Sequence, residues 1–266
     1  MDCTMRLRVL GTRGSCPSGG EGRSLFGCST SCYMLETEER VVFLDAGSGL
    51  LNAPEEALRG REIAILLSHA HIDHILGLPL FAPMFEPGRR IDIYCRSRGG
   101  LDGAAQLARF LSPPLWPVGL RELPADIVLH ELRDGLRLGG VTVRCAEASH
   151  PGGSTLLRLE RDGKSLVYAT DHELALDGGS LASFARGADL LLCDAQTPDG
   201  EGEKFRGFGH SSAAEALELQ KSCGAKRLLL IHHSPMRRDA ELLAAQAALP
   251  RDAAASYARE GEVIEL

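Results

Sequence analysis

An apolar run that stops at a cluster of histidines constrains this chain more than any other feature. Residues 63–67 read as a short buried strand, and directly after them come His69, His71, Asp73 and His74. His69 and His71 are two apart, so on backbone that is still extended their imidazoles leave on the same side; Asp73 and His74 follow as the chain turns toward residues 76–79. Four metal-binding groups at one strand end are more than a single ion at an open catalytic site takes from one segment, which points to two ions. Incidental loop histidines account for one such residue, not for four in this spacing.

The arrangement recurs. Residues 141–149 read as a strand ending at His150, residues 165–169 stop at Asp171, residues 188–193 at Asp194, and residues 226–231 at His232 and His233. Residues 156–160 and 165–169 flank Asp162 and Gly163, the pair expected in a tight hairpin turn. Residues 31–37 and 40–45 form a second predicted hairpin ending at Asp45, a carboxylate suited to capping the glycine turn after it or to fixing the tautomer of a ligand histidine. Only one of His232 and His233 is expected to face the site, because successive side chains diverge where the chain leaves a strand.

His210 stands just ahead of Ser212 and Glu215, which have capping-box spacing for a helix running to Cys223 and stopped by Gly224. A helix N-terminus carries partial positive charge, so an imidazolium beside it needs an anion, supplied by Asp194 or by a substrate phosphate. The glycine-dense loop of residues 11–20 lacks the Gly-Lys-Ser/Thr ending of a phosphate-binding Walker loop; its backbone amides are expected to line the site. Residues 81–124 combine prolines with a predicted helix over 102–111, and Phe81, Phe85 and Trp116 are candidate stacking surfaces in a wall or lid. Residues 239–249 and 252–259 read as helices separated by Pro250, and residues 262–266 as a final strand.

Composition narrows the function. A chain of 266 residues with 44% hydrophobic content buries a large core, and its net charge of −7 disfavours a broad surface for long nucleic acid. No basic, apolar leader opens the sequence and no apolar run reaches the ~20 residues of a membrane span, so a cytoplasmic location without membrane contact is expected. The eight cysteines lack paired zinc-ribbon spacing and are read as reduced structural thiols, Cys28 and Cys32 included. A homodimer is compatible with the sequence.

The ordered set His69, His71, Asp73, His74, His150, Asp171 and His232 resembles the ligand signature of the metallo-β-lactamase superfamily. That resemblance implies an α/β fold, an αββα sandwich forming a single domain over residues 1–266, with the site at the sheet edges. It implies one divalent ion on His69, His71 and His150, a second on Asp73, His74 and His232, and Asp171 bridging them, with zinc as the expected metal and manganese compatible. The oxidoreductase branch has Glu where this chain has His71, which argues for hydrolysis. Residues 207–215 and 228–235 resemble the phosphodiesterase branch containing ribonuclease Z and small cyclic-phosphate diesterases, although this chain shows no long basic arm for gripping transfer RNA. The expected activity is therefore cleavage of a small phosphodiester by a hydroxide shared between the ions, with Asp73 and His210 as catalytic residues and His210 as general acid. The alternatives are a lactone or thioester hydrolase on the same scaffold, and a metal-holding accessory protein similar to the pyrroloquinoline-quinone accessory protein.

Overall fold

The apolar runs become strands of two seven-stranded sheets in this computed structural model, which describes residues 5–266. The first sheet holds β1 (Arg6–Gly11), β2 (Cys32–Glu36), β3 (Arg40–Leu44), β4 (Glu62–Leu66), β5 (Arg90–Cys95) and β6 (Asp126–Glu131). The second holds β7 (Leu136–Leu138), β8 (Val141–Ala148), β9 (Ser154–Arg161), β10 (Lys164–Ala169), β11 (Leu190–Asp194), β12 (Leu228–Ile231) and β13 (Ala255–Tyr257). The last strand, β14 (Val263–Glu265), returns to the first sheet and pairs antiparallel with β1. Strands β3 to β6 are mutually parallel, and so are β10 to β13.

Side-chain alternation divides each central strand between two cores. Val42 and Leu44 of β3 face the second sheet and pack in one cluster with Leu157, Leu166 and Leu192, whereas Val41 and Phe43 face outward. Outward residues of the first sheet are covered by α1 (Glu55–Leu58), α2 (Ile72–Ile75) and α3 (Gly103–Ala108). Those of the second are covered by α4 (Ser180–Phe184), α5 (Ala213–Cys223) and α6 (Asp239–Ala248). The result is the expected four-layer αββα sandwich, in which burying each large apolar side chain contributes about 1.5–3 kcal/mol. The Asp162–Gly163 hairpin turn forms with both residues at positive φ. The capping box of Ser212 and Glu215 also forms, and Gly224 ends α5 at φ 69°.

Two local expectations give way to tertiary context, and two strands form that the sequence did not announce. Residues 252–259 do not form a helix: residues 255–257 pair with β12, and this parallel pairing outweighs the helix propensity of the local alanines. Strands β6 and β7 were not legible as strands, because β6 is an edge strand only half covered and β7 has three residues. The helix predicted over 102–111 is shorter, with Asp102 capping it through the N–H of Ala105 at 2.8 Å. Seven cysteines lie in the described residues and all are free thiols, while Cys3 falls outside them. No helix among the described residues is long and apolar enough to cross a membrane.

Candidate metal centre and active site

The predicted ligands meet because the strands that carry them run the same way. β3 and β4 are parallel, β10, β11 and β12 are parallel, and β8 shares their direction because β9 opposes both β8 and β10. Their C-terminal ends therefore line one edge of the sandwich, where parallel sheets usually bind ligands. Asp194 is the last residue of β11, Asp45, His69, His150, Asp171 and His232 follow the other ends, and His71, Asp73 and His74 come from the turn into α2.

Two groups converge there. In the first, His69, His71 and His150 bring their ligand atoms within 4.8 Å of one another, as do Asp73, His74 and His232 in the second. Asp171 faces both. Its Oδ1 is 3.9 Å from His69 Nε2 and 3.7 Å from His150 Nε2; its Oδ2 is 3.0 Å from His74 Nε2 and 3.2 Å from His232 Nε2. Asp73 Oδ2 lies 3.2 Å from His74 Nε2, 3.3 Å from His232 Nε2 and 2.7 Å from the N–H of Ser15, so the glycine-rich loop does contribute an amide.

The imidazole orientations suit divalent cations. His74 donates from Nδ1 to Asp45 at 2.7 Å and His150 from Nδ1 to the Gly209 carbonyl at 3.1 Å, which leaves each Nε2 as a lone-pair donor toward the centre. Nε2 of His69 and Nε2 of His74 are buried without a hydrogen-bond partner, and His74 Nε2 sits close to two carboxylates without hydrogen-bond angles to either. Aimed nitrogens and carboxylate oxygens sharing one centre are a donor set suited to a divalent metal ion. Asp45 takes one of the two roles considered for it. Fully buried, it accepts from Ser68 N, Ser68 Oγ, His74 Nδ1 and Tyr168 Oη, so it orients the His74 imidazole and fixes the turn before His69, while these partners all lie outside the glycine turn after it.

Charge follows the same division. Burial pushes His69, His71 and His150 below the ordinary imidazole pKa, keeping them in the neutral form that binds metals. Burial would also lower His74, but the carboxylates of Asp171, Asp73 and Asp45 outweigh it and hold that group well above its usual value. Burial would raise Asp73 and Asp171, yet the neighbouring imidazoles of His74 and His232 dominate and keep both ionised. The centre thus favours a positive charge among its carboxylates.

Backbone strain marks the same place. Ser15, Asp45, Asp171 and His232 have φ of 62°, 60°, 47° and 58°, in the left-handed region that costs non-glycine residues about 1–3 kcal/mol each. Two glycines are required sterically: a Cβ on Gly14 would fall 2.3 Å from His232 Nδ1, and one on Gly209 would fall 2.0 Å from His150 Nδ1.

His210 adjoins both groups. Its Nδ1 lies 2.8 Å from Asp194 Oδ2, and its ring stacks on His232 with centroids 5.1 Å apart. Burial acts to lower its pKa, but Asp194 outweighs burial and raises it to about 9. The anion required beside this helix start is therefore Asp194. Glu173 was not singled out in the sequence, yet it is buried and accepts the N–H groups of Gly207 and Gly209, holding the loop that carries His210. No spacing signal marks it, because its partners are backbone amides.

Other candidates lie elsewhere. His233 turns away, with Nε2 2.9 Å from the Ala258 carbonyl and its ring near Phe26 and Tyr257. Phe81 is a core residue against Phe43. Phe85 and Trp116 do not line the cavity of about 460 Å³ that opens beside His69 and His71; Phe110 and Leu115 do.

Comparison with known proteins agrees with this geometry. Residues 40–233 match the family described as beta-lactamase superfamily domain. The chain is 27% identical to a ribonuclease Z of Bradyrhizobium sp. (strain ORS 278), covering 90% of this chain and 92% of that one. The metallo-beta-lactamase fold protein YhfI from Bacillus subtilis superposes with a TM-score of 0.74 at 23% identity, covering 100% of both chains. A diphosphatase from the PhnP family superposes with a TM-score of 0.71 at 20% identity, covering 98% of each. The chain belongs to the beta-lactamase superfamily.

Proposed function

We propose that this chain hydrolyses a small phosphodiester or cyclic phosphate, using two divalent cations and His210 as proton donor. His69, His71 and His150 would hold one cation, Asp73, His74 and His232 the other, with one oxygen of Asp171 turned to each. Zinc suits this donor set and manganese is compatible with it. Bound there, such cations supply Lewis acidity toward phosphoryl oxygens and lower the pKa of water toward ~7.

The observation that carries the reading is the Asp194–His210 pair beside both groups. An alkoxide leaving from phosphorus needs a proton. Asp194 holds the Nδ1–H of His210, which leaves Nε2 as the nitrogen able to carry and release that proton. A thiolate leaving from a thioester is a far weaker base and makes no comparable demand. The ribonuclease Z among the similar proteins supports phosphate-ester chemistry. The cavity of about 460 Å³ and the net charge of −7 favour a small substrate over a long nucleic acid.

The test is turnover of bis(p-nitrophenyl) phosphate, S-lactoylglutathione and a simple lactone by metal-loaded protein, with and without chelator. The diester should be cleaved fastest and chelation should abolish its cleavage. Faster turnover of the thioester or lactone would overturn the reading.

A further inference from the structure

The cavity beside His69 and His71 has a chemistry of its own. Its volume lies within the roughly 300–1,000 Å³ of small-ligand pockets. Ile72, Ile75, Leu101, Phe110 and Leu115 give it apolar walls. Two arginines line it and no Asp or Glu does, although the chain has 36 acidic residues against 29 basic ones. Arg98 is occupied, paired with Glu147 and donating to Thr155 Oγ1 at 2.8 Å. Arg109 is exposed, and its guanidinium makes no ion pair or side-chain hydrogen bond among the described residues.

Gln106 supplies a fixed acceptor. Its Nε2 donates to the carbonyls of Arg96 at 2.8 Å and Leu101 at 3.1 Å, which uses both amide hydrogens. The reverse orientation would set Oε1 against those two carbonyls, so the amide cannot flip without loss. Its Oε1 is left to accept from a ligand.

We propose that this cavity holds the non-reacting arm of the substrate and that the arm is a heterocyclic ring of nucleobase type bearing an amino group. The ring's faces would meet Phe110, Leu115 and the planar guanidinium of Arg109, groups that stack on aromatic rings. Its amino edge would donate to Gln106 Oε1. The proposal rests on the phosphodiesterase reading, because the reacting phosphate would lie where the cavity opens beside His69 and His71.

The test compares kcat/KM of metal-loaded protein on cyclic nucleotides and on methyl p-nitrophenyl phosphate, which has no such arm. Cyclic cytidine and adenosine phosphates should exceed their uridine and inosine counterparts about tenfold, since a ring carbonyl in place of the amino group would oppose Gln106 Oε1. In Arg109→Ala, whose exposed guanidinium makes no ion pair or side-chain hydrogen bond among the described residues, the ratio of cyclic cytidine phosphate to the methyl diester should fall at least tenfold, through KM. Equal rates on amino and carbonyl rings, or an unchanged ratio in Arg109→Ala, overturn the proposal. Cleavage of the methyl diester with no cleavage of any nucleotide refutes the pocket assignment alone. Failure to cleave any phosphodiester removes the phosphodiesterase reading and this inference with it.

Discussion

Asp194 Oδ2 lies 2.8 Å from Nδ1 of His210 and also accepts the backbone N–H of Asp171 at 3.1 Å. One buried carboxylate therefore ties the proposed proton donor to the residue that faces both ligand groups. Replacing His210 with Ala should retain both metals and slow an alkyl or nucleoside diester by ~10²–10⁴-fold. A nitrophenyl diester, whose leaving group needs little protonation, should be slowed far less. Equal slowing of both substrates, with metal content intact, would mean that His210 positions phosphate instead.

The same pair sets a pH dependence. With Asp194 holding it, His210 titrates at about 9, so its protonated form persists through neutral pH and is lost as pH rises through that value. Asp194→Asn removes the largest of the charges that oppose burial, so the pKa falls. The alkaline limb of the pH–rate profile on an alkyl diester should then move to lower pH, and an unmoved limb would separate it from His210.

Asp171 is the residue whose loss should reach both cations. Elemental analysis of purified wild-type protein should find about two ions per chain, and Asp171→Ala should lower occupancy of both. His71→Ala should leave the second group's ion in place, because Asp73, His74 and His232 do not depend on it. A constant single ion in the wild type would end the dinuclear reading.

His232 and His233 are neighbours with opposite surroundings. His233 faces the Ala258 carbonyl and two aromatic rings, so His233→Asn should keep its metals while His232→Asn loses one. Equal metal loss in the two variants would contradict this division.

His233 also predicts an acid sensitivity. Burial pushes its pKa down to about 3, whereas the unfolded chain takes up that proton near the ordinary value of ~6.5. Between these values the unfolded state binds more protons, so the residue's full contribution is present above ~6.5 and is lost as pH falls, by up to about 1.4 kcal/mol per pH unit. Urea midpoints measured across that window should fall less steeply in His233→Asn than in the wild type. Parallel slopes would show that His233 is not the group responsible.

What was legible in the sequence is local chemistry. Strands stop at the histidines and aspartates that meet at the centre, the Asp162–Gly163 turn and the Ser212–Glu215 cap are short-range patterns, and imidazole with carboxylate at strand ends is a pattern suited to divalent ions. What only the tertiary structure decided depends on which strands run side by side. Tyr168 reaches across the sandwich to Asp45, 123 positions away in sequence, and Asp45 in turn sets His74. Residues 255–257 extend because β12 offers them a parallel edge, against their own helix propensity. Glu173 matters through the backbone amides it receives, and the cavity at Phe110 and Arg109 exists only where α3 packs beside His71. Residue types and short spacings report local preference; contacts between distant segments follow from the burial and pairing of whole sheets, which no single window of sequence contains.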